Sequence, residues 1–166
     1  MSDTFGEIVE LYTATAVMQF QRIPVMKKNK KIECLNVTLA PLMDSGRGNK
    51  TANFDKKMVI QLKESGMANL AAALMGFKRN ISIHSSGSPE NPSKKVMYVN
   101  LNDDDTTNII IAESANNERK NLSISFKNTE RYPLLRLTAS QLTLNSTGYN
   151  QTITDTLTLI KASVMR

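Results

Sequence analysis

The sequence predicts an α+β fold in which strands, a helix, more strands and a second helix follow one another. Three observations carry this. Apolar and polar residues alternate up to Leu62 and again from Ile81 to Phe126, the period of sheets with one buried face. Between these blocks Met67, Leu70, Ala71, Leu74 and Met75 fall at i, i+3, i+4, i+7 and i+8, the stripe of an amphipathic helix. Near the end Leu142, Tyr149, Ile153, Leu157, Ile160 and Val164 recur at helical spacings.

Each element has its own warrant. Residues 7–23 read as one long strand, with Tyr12, Ala14, Ala16, Met18 and Phe20 on one side. MKKNKK (26–31) is a polar turn, and 32–40 form the return strand, where Leu35, Val37 and Leu39 alternate with Cys34, Asn36 and Thr38. Pro41 to Asn53, rich in Gly, Ser and Asn, reads as a mobile loop. Met58, Ile60 and Leu62 then alternate with Lys57, Val59, Gln61 and Lys63 until Ser65 and Gly66 break the pattern. The helix follows from Met67, favoured by its alanines, with Gly76 placed for a left-handed cap.

Ile81 and Ile83 resume the period of two, and the prolines of GSPENPS (87–93) mark a loop. Val96–Leu101 and Asn108–Ala112 read as a hairpin turned by Asn102–Asp105. Ala115–Lys120 is a polar turn, Leu122, Ile124 and Phe126 a further strand, and 128–133 a connector. LLRLTASQLTLN (134–145) alternates and is threonine-rich, as a strand would be. The wider apolar spacing favours a helix from about 139 to 163, with Thr138 as N-cap and Gly148 weakening it.

The 166 residues suit one domain. No apolar run approaches the ~20 residues of a membrane span, and MSDTFGEIVE lacks the basic n-region of a signal or transit peptide. The expected setting is therefore cytoplasmic. Cys34 is alone, so no disulfide framework forms within the chain, and it reads as a small buried strand residue. Catalytic parts are wanting. The single histidine, His84, and Cys34 cannot make a four-ligand zinc site. Asp103-Asp104-Asp105 reads as a solvated turn rather than a magnesium site. Gly46, Gly48, Gly66 and Gly76 match no phosphate-binding or dinucleotide fingerprint. Ser146 and Thr147 have no base nearby in sequence. The reading is a non-enzyme without metal or cofactor.

Charge points to a partner. Twenty-one Lys+Arg against 15 Asp+Glu leave +6, and the excess is paired: Lys27–Lys28, Lys30–Lys31, Lys56–Lys57, Lys78–Arg79, Lys94–Lys95 and Arg119–Lys120. Binding of an unpaired polynucleotide needs cations along a track for phosphates and flat side chains for unstacked bases. These pairs supply the first requirement. Phe54, Phe77, Tyr98 and Tyr132 lie beside cations; Phe54 and Tyr98 are the stacking candidates, while Phe77 is expected in the core.

The order of elements and three motifs resemble the Whirly family of single-stranded-DNA-binding proteins and the related mitochondrial guide-RNA-binding proteins. KNKKIECLNVTLAP (28–41) is similar to the family's Lys-Gly-Lys-Ala-Ala-Leu strand and following Ala-Pro, with Lys28-Asn29-Lys30 in place of Lys-Gly-Lys. FDKKMVIQLKESGMANLAAALMG (54–76) is similar to its strand running into a Ser/Thr-x-Glu-x-Gly-x-Leu helix start, and NLSISFKN (121–128) to its late Asn-Leu-Ser-Val strand. The resemblance implies two roughly perpendicular, antiparallel four-stranded sheets, each followed by a helix. It implies a homotetramer joined through the helices, with single-stranded DNA passing along sheet edges between protomers. The expected role is sequence-independent binding in replication, recombination or repair, in a bacterial or phage setting, with RNA as a possible competitor. Two other classes stay open: an oligomeric virion or scaffold protein without nucleic acid, and a five-stranded OB barrel. A helix at 67–75 followed by four strands argues against the barrel.

Overall fold

The computed structural model describes residues 6–27, 30–88, 91–146 and 150–165. Strands β1 (Ile8–Tyr12), β2 (Ala16–Lys27), β3 (Lys30–Gly46), β4 (Asn49–Ala52) and β5 (Met58–Leu62) precede helix α1 (Glu64–Leu74). Strands β6 (Asn80–Ser88), β7 (Asn91–Leu101), β8 (Thr106–Ala115) and β9 (Glu118–Lys127) precede helices α2 (Arg131–Asn145) and α3 (Ile153–Val164). The sheet-then-helix plan is present twice, and the C-terminal helical segment is divided in two.

In the first sheet the antiparallel order is β1-β2-β3-β5. β4 pairs with the far end of β3, on the side that β5 occupies. Pro41 O accepts from Asn53 N while Leu42 N donates to Thr15 O, so successive β3 residues turn to opposite neighbours. The β5 pairing ends at Leu39 and that of β4 begins at Leu42. Pro41, with no N–H to donate, sits at this break. The second sheet is a plain antiparallel meander, β6-β7-β8-β9.

Inner faces alternate as expected. Met18 and Phe20, Leu35, Val37 and Leu39, and Met58, Ile60 and Leu62 from the first sheet are buried with Met97, Val99, Ile109, Ile111, Ile124 and Phe126 from the second. Burying each such side chain stabilises by about 1.5–3 kcal/mol. β5 touches β6, β7 and β8 in turn and β9 touches β2 and β3, so strands of one sheet cross those of the other. α1 bridges the sheets, touching β5 as well as β6 and β7, while α2 lies on β1, β2 and β3. At Gly66 a Cβ would stand 3.1 Å from Ile83 Cγ2, which is how closely α1 approaches β6. The described strands form two open sheets rather than a closed barrel.

Several expected elements differ. Residues 7–23 are two strands, because Thr13 makes a turn: its N–H and hydroxyl both donate to Ala16 O, at 2.9 and 3.2 Å, and its Oγ1 accepts from Ala16 N at 3.3 Å. The expected loop at 41–53 is mostly the β3–β4 hairpin. Gly46, Arg47 and Gly48 all have positive φ (92°, 55°, 75°), so the glycines shape a tight tip. Lys50 Nζ pins this hairpin by donating to Ala14 O at 2.8 Å. Of the expected 87–93 loop, residues 87–88 belong to β6 and 91–93 to β7, with a bulge between Ser86 and Ser88 that accommodates Pro92, while residues 89 and 90 lie outside the described residues.

The 115–120 turn narrows to Asn116 and Asn117, at φ 50° and 64°, a two-residue hairpin connection. Gly76 caps α1 at φ 83° as expected. Ser65 and Gly66 do not interrupt the chain but lie in the first turn of α1. The 128–133 connector is a 3-10 turn leading into α2, whose first turn tolerates Pro133. α2 thus starts before residue 139, and Leu134, Leu137, Thr138, Gln141 and Leu142 are buried at helical spacing. Thr138 is therefore no N-cap; its Oγ1 donates to Leu134 O at 2.8 Å inside the helix. Thr147, Gly148 and Tyr149 lie outside the described residues.

Candidate nucleic-acid interface

Register decides which basic pairs meet. Across the second sheet Lys94, Ser114 and Arg119 lie in one row, and Lys95, Glu113 and Lys120 in the next. Neighbouring rows point to opposite faces. Both pairs therefore reach the same end of the sheet, each split between its two sides. Lys94 and Arg119 are exposed, stand about 10 Å apart across β8, and flank a shallow depression beside the Asn116–Asn117 turn. Lys120 approaches Glu118 at 3.6 Å, an exposed pair that leaves its charge open to solvent.

Lys95 is placed differently. Its Nζ donates to Val59 O at 2.9 Å and lies 3.5 Å from Glu113 Oε1. Val59 belongs to the first sheet, so this half-buried ammonium ties the sheets together rather than lying free. Lys95, expected to contact phosphate, thus has two partners within the fold. The tether also carries a geometric result. Lys57 is two residues from Val59, roughly 7 Å of extended chain, so the β5 lead-in and the basic end of the second sheet adjoin. Phe54, Lys56 and Lys57 occupy the 3-10 turn and following residue at the break in the β3 partner edge. The two lysines are exposed, engaged by no acid among the described residues, and Phe54 beside them is 42% exposed.

Other pairs lie elsewhere. Arg79 pairs with Asp103 of the β7–β8 turn, at the opposite end of the second sheet, and Lys78 Nζ donates to Asn69 Oδ1 at 3.2 Å. The acidic turn thus compensates a cation. This pair is removed from the convergence at Lys56–Lys57. Lys27 and Lys30 are register partners at the β2–β3 hairpin end, with Lys31 next along β3; Lys28 lies outside the described residues. This hairpin runs beyond β5, whose pairing stops at Leu35.

Tyr98 is half-buried on the outer face of the second sheet, in a row with Ser82, Ile110 and Ser123. Asn80, Asn100, Asn108 and Ser125 make the next row on that face. Tyr98 is therefore a ring set in a polar platform. Phe77 is not core: it is 39% exposed, with Lys161 Nζ 6.0 Å above its ring.

Two features escaped the sequence reading. Arg47 and Lys50 add cations on the β3–β4 hairpin, hidden because that segment reads as a loop. Lys63, at the far end of β5 from Lys57, borders a crevice of about 320 Å³ between β5, α1 and β6. Gln61, Asn69, Ser82, His84 and Ser85 line it over a floor of Leu62 and Ile83. Ser85 is the register partner of Lys95, so the crevice opens toward the tether. His84 is exposed there. Its signal was present in the Lys57–Lys63 alternation, but only the meeting of β5 with β6 makes a cleft of it. Burial pushes the Cys34 thiol up from its usual range, so it is a packed side chain and a poor nucleophile. Among the described residues no three His, Cys, Asp or Glu side chains gather to hold a metal ion.

No family model matches the chain, and no curated protein matches it. Its fold is that of the Whirly structures. It is similar to WHY3 from Arabidopsis thaliana, at TM-score 0.68 and 16% identity over 85% of this chain and 89% of that one. WHY1 from Arabidopsis thaliana gives 0.67 and 17%, over 86% of each chain. A guide-RNA-binding protein complex bound to a guide RNA gives 0.57 and 13%, over 88% and 95%.

Proposed function

We propose that this protein binds single-stranded DNA non-enzymatically and largely through its phosphates, and that it serves replication, recombination or repair. The observation that supports this best is the meeting of Lys56 and Lys57 with the basic end of the second sheet, where Lys94, Arg119 and Lys120 stand. Cations from both sheets are thereby gathered at one end of the second sheet, Lys120 on its inner side and Lys94 and Arg119 on its outer side, with Phe54 exposed beside Lys56 and Lys57 and the crevice at the other end of β5. A strand laid there would set phosphates on the lysines and bases toward the ring and cleft. The fold shared with a complex bound to guide RNA fits the reading and makes RNA the natural competitor. Subunits would join through the helices, which expose Tyr132, Leu144, Ile153 and Leu159. A homotetramer is the assembly proposed.

Titrating labelled oligo-dT at two salt concentrations tests the proposal. Affinity is expected to fall linearly in log[salt], with slope about −0.7 per phosphate neutralised. Replacing Lys56 and Lys57 together by Ala should weaken every sequence alike and flatten the slope by about 0.7 for each phosphate that is no longer neutralised. A chain that binds no oligonucleotide at low salt overturns the reading.

A further inference from the structure

The crevice between β5 and β6 carries hydrogen-bonding chemistry that phosphate contacts do not use. Asn69 accepts from Lys78 Nζ through its Oδ1, at 3.2 Å. An ammonium has only hydrogens to give, so this contact fixes the amide and leaves Nδ2 as the end that can donate. Gln61 is held the other way round: its Nε2 donates to Asn36 Oδ1 at 3.4 Å, leaving Oε1 to accept. Lys63 adds further donors at the rim. His84, able to donate and accept from its two ring nitrogens, does not discriminate. The floor of Leu62 and Ile83 is buried and apolar, suited to a flat ring.

Donors on Asn69 and Lys63 with an acceptor on Gln61 complement one class of base edge. Uracil, thymine and guanine present a keto oxygen next to a ring N–H. Cytosine and adenine present an amino group next to a bare ring nitrogen, which in the same seating sets donor against donor and acceptor against acceptor. We propose that this crevice seats a single base of the strand and selects keto over amino bases, imposing a modest preference on an otherwise sequence-neutral track. Phosphate contacts carry no sequence information, so a preference read by hydrogen bonds needs a place of this kind. The inference rests on the polynucleotide reading above, since the track is what delivers the base.

Oligo-dU and oligo-dC of equal length share the same ring and differ only in this edge, so the full chain is titrated with both at one salt concentration. Oligo-dU is expected to bind about tenfold more tightly, the discrimination of one well-placed bidentate contact. Asn69→Ala should bring the ratio toward one without abolishing binding to oligo-dC. Gln61→Met, on the opposite wall, should do the same independently. Equal affinity of the unaltered protein for the two, or a ratio that survives both substitutions, overturns the inference alone. Failure to bind either oligonucleotide overturns the polynucleotide reading and this inference with it.

Discussion

Lys94 and Lys95 are neighbours in sequence and opposites in role. Alternation along β7 sends Lys94 to the outer face and Lys95 inward, where it holds the Val59 carbonyl. Lys95→Met should cost about 1–2 kcal/mol, because a half-buried main-chain acceptor loses a charged donor. Lys94→Ala should leave stability within about 0.5 kcal/mol while weakening oligonucleotide binding several-fold. Urea midpoints and anisotropy titrations of the two variants check the split, and equal stability losses would refute it. At this scale the sequence was informative about residue type and less so about use. Lys56, Lys57, Lys94, Arg119 and Lys120 stand exposed as their composition suggested. Arg79 does not join them, because its acidic partner comes from a turn 24 residues away, a pairing that no local pattern encodes. Phe77 eludes a local reading for a related reason: its exposure depends on how α1 ends and where α3 comes to rest.

Elements were legible wherever one side faced the core. The strands around Val37, Ile60, Val99 and Ile111 follow from alternation alone, as does α1 from its apolar stripe. The Asn102–Asp105 turn and the Gly76 cap were legible too, but how far strands extend into the 41–53 hairpin was not, since a hairpin tip buries nothing and leaves no periodic trace. The C-terminal helices show the difficulty best. The threonines of α2 read as strand formers, yet Thr138, Thr143 and Ser146 return their hydroxyls to carbonyls four residues back, so the helix absorbs them. α3 has a stronger local device. Thr152 Oγ1 accepts from Asp155 N at 3.2 Å, and Asp155 Oδ2 accepts from Thr152 N at 2.8 Å, a closed capping box. The Thr152 backbone N–H, and after it the hydroxyl, hold the Asp155 carboxyl below its usual range. A carboxylate lowered in this way stabilises above its unfolded-state range and ceases to do so as pH falls through the folded value. α3 should therefore loosen in acid below the ordinary carboxylate range. Hydrogen exchange of its amides at neutral and acid pH checks this, with Asp155→Ala expected to remove the dependence.

For the whole molecule, the two-sheet plan was readable from the order of elements, and the seam on which the proposed function rests was not. Which basic pairs converge is decided by strand register and by the crossing of the sheets, and neither is visible in a linear pattern. Assembly belongs to this scale too. Ile153 and Leu159 are 42% and 58% exposed on α3, apolar groups that a subunit partner would cover. Leu159→Glu should shift the mass measured by light scattering toward the monomer, and it should lower the affinity for long oligonucleotides more than for short ones. An unchanged mass would remove α3 from the interface.

The way the strands pair has a kinetic corollary. In both sheets every ladder joins segments close together along the chain, from β1–β2 through β3–β5 and from β6 through β9. Loop closure for each is short and inexpensive in entropy. The two sheets can accordingly zip up as hairpin series, and their mutual docking over α1, when β5 first meets β6, β7 and β8, is expected to be the slow event in refolding. That same docking brings β5, and Lys57 with it, against the second sheet, so the proposed track is complete only once the two sheets have met.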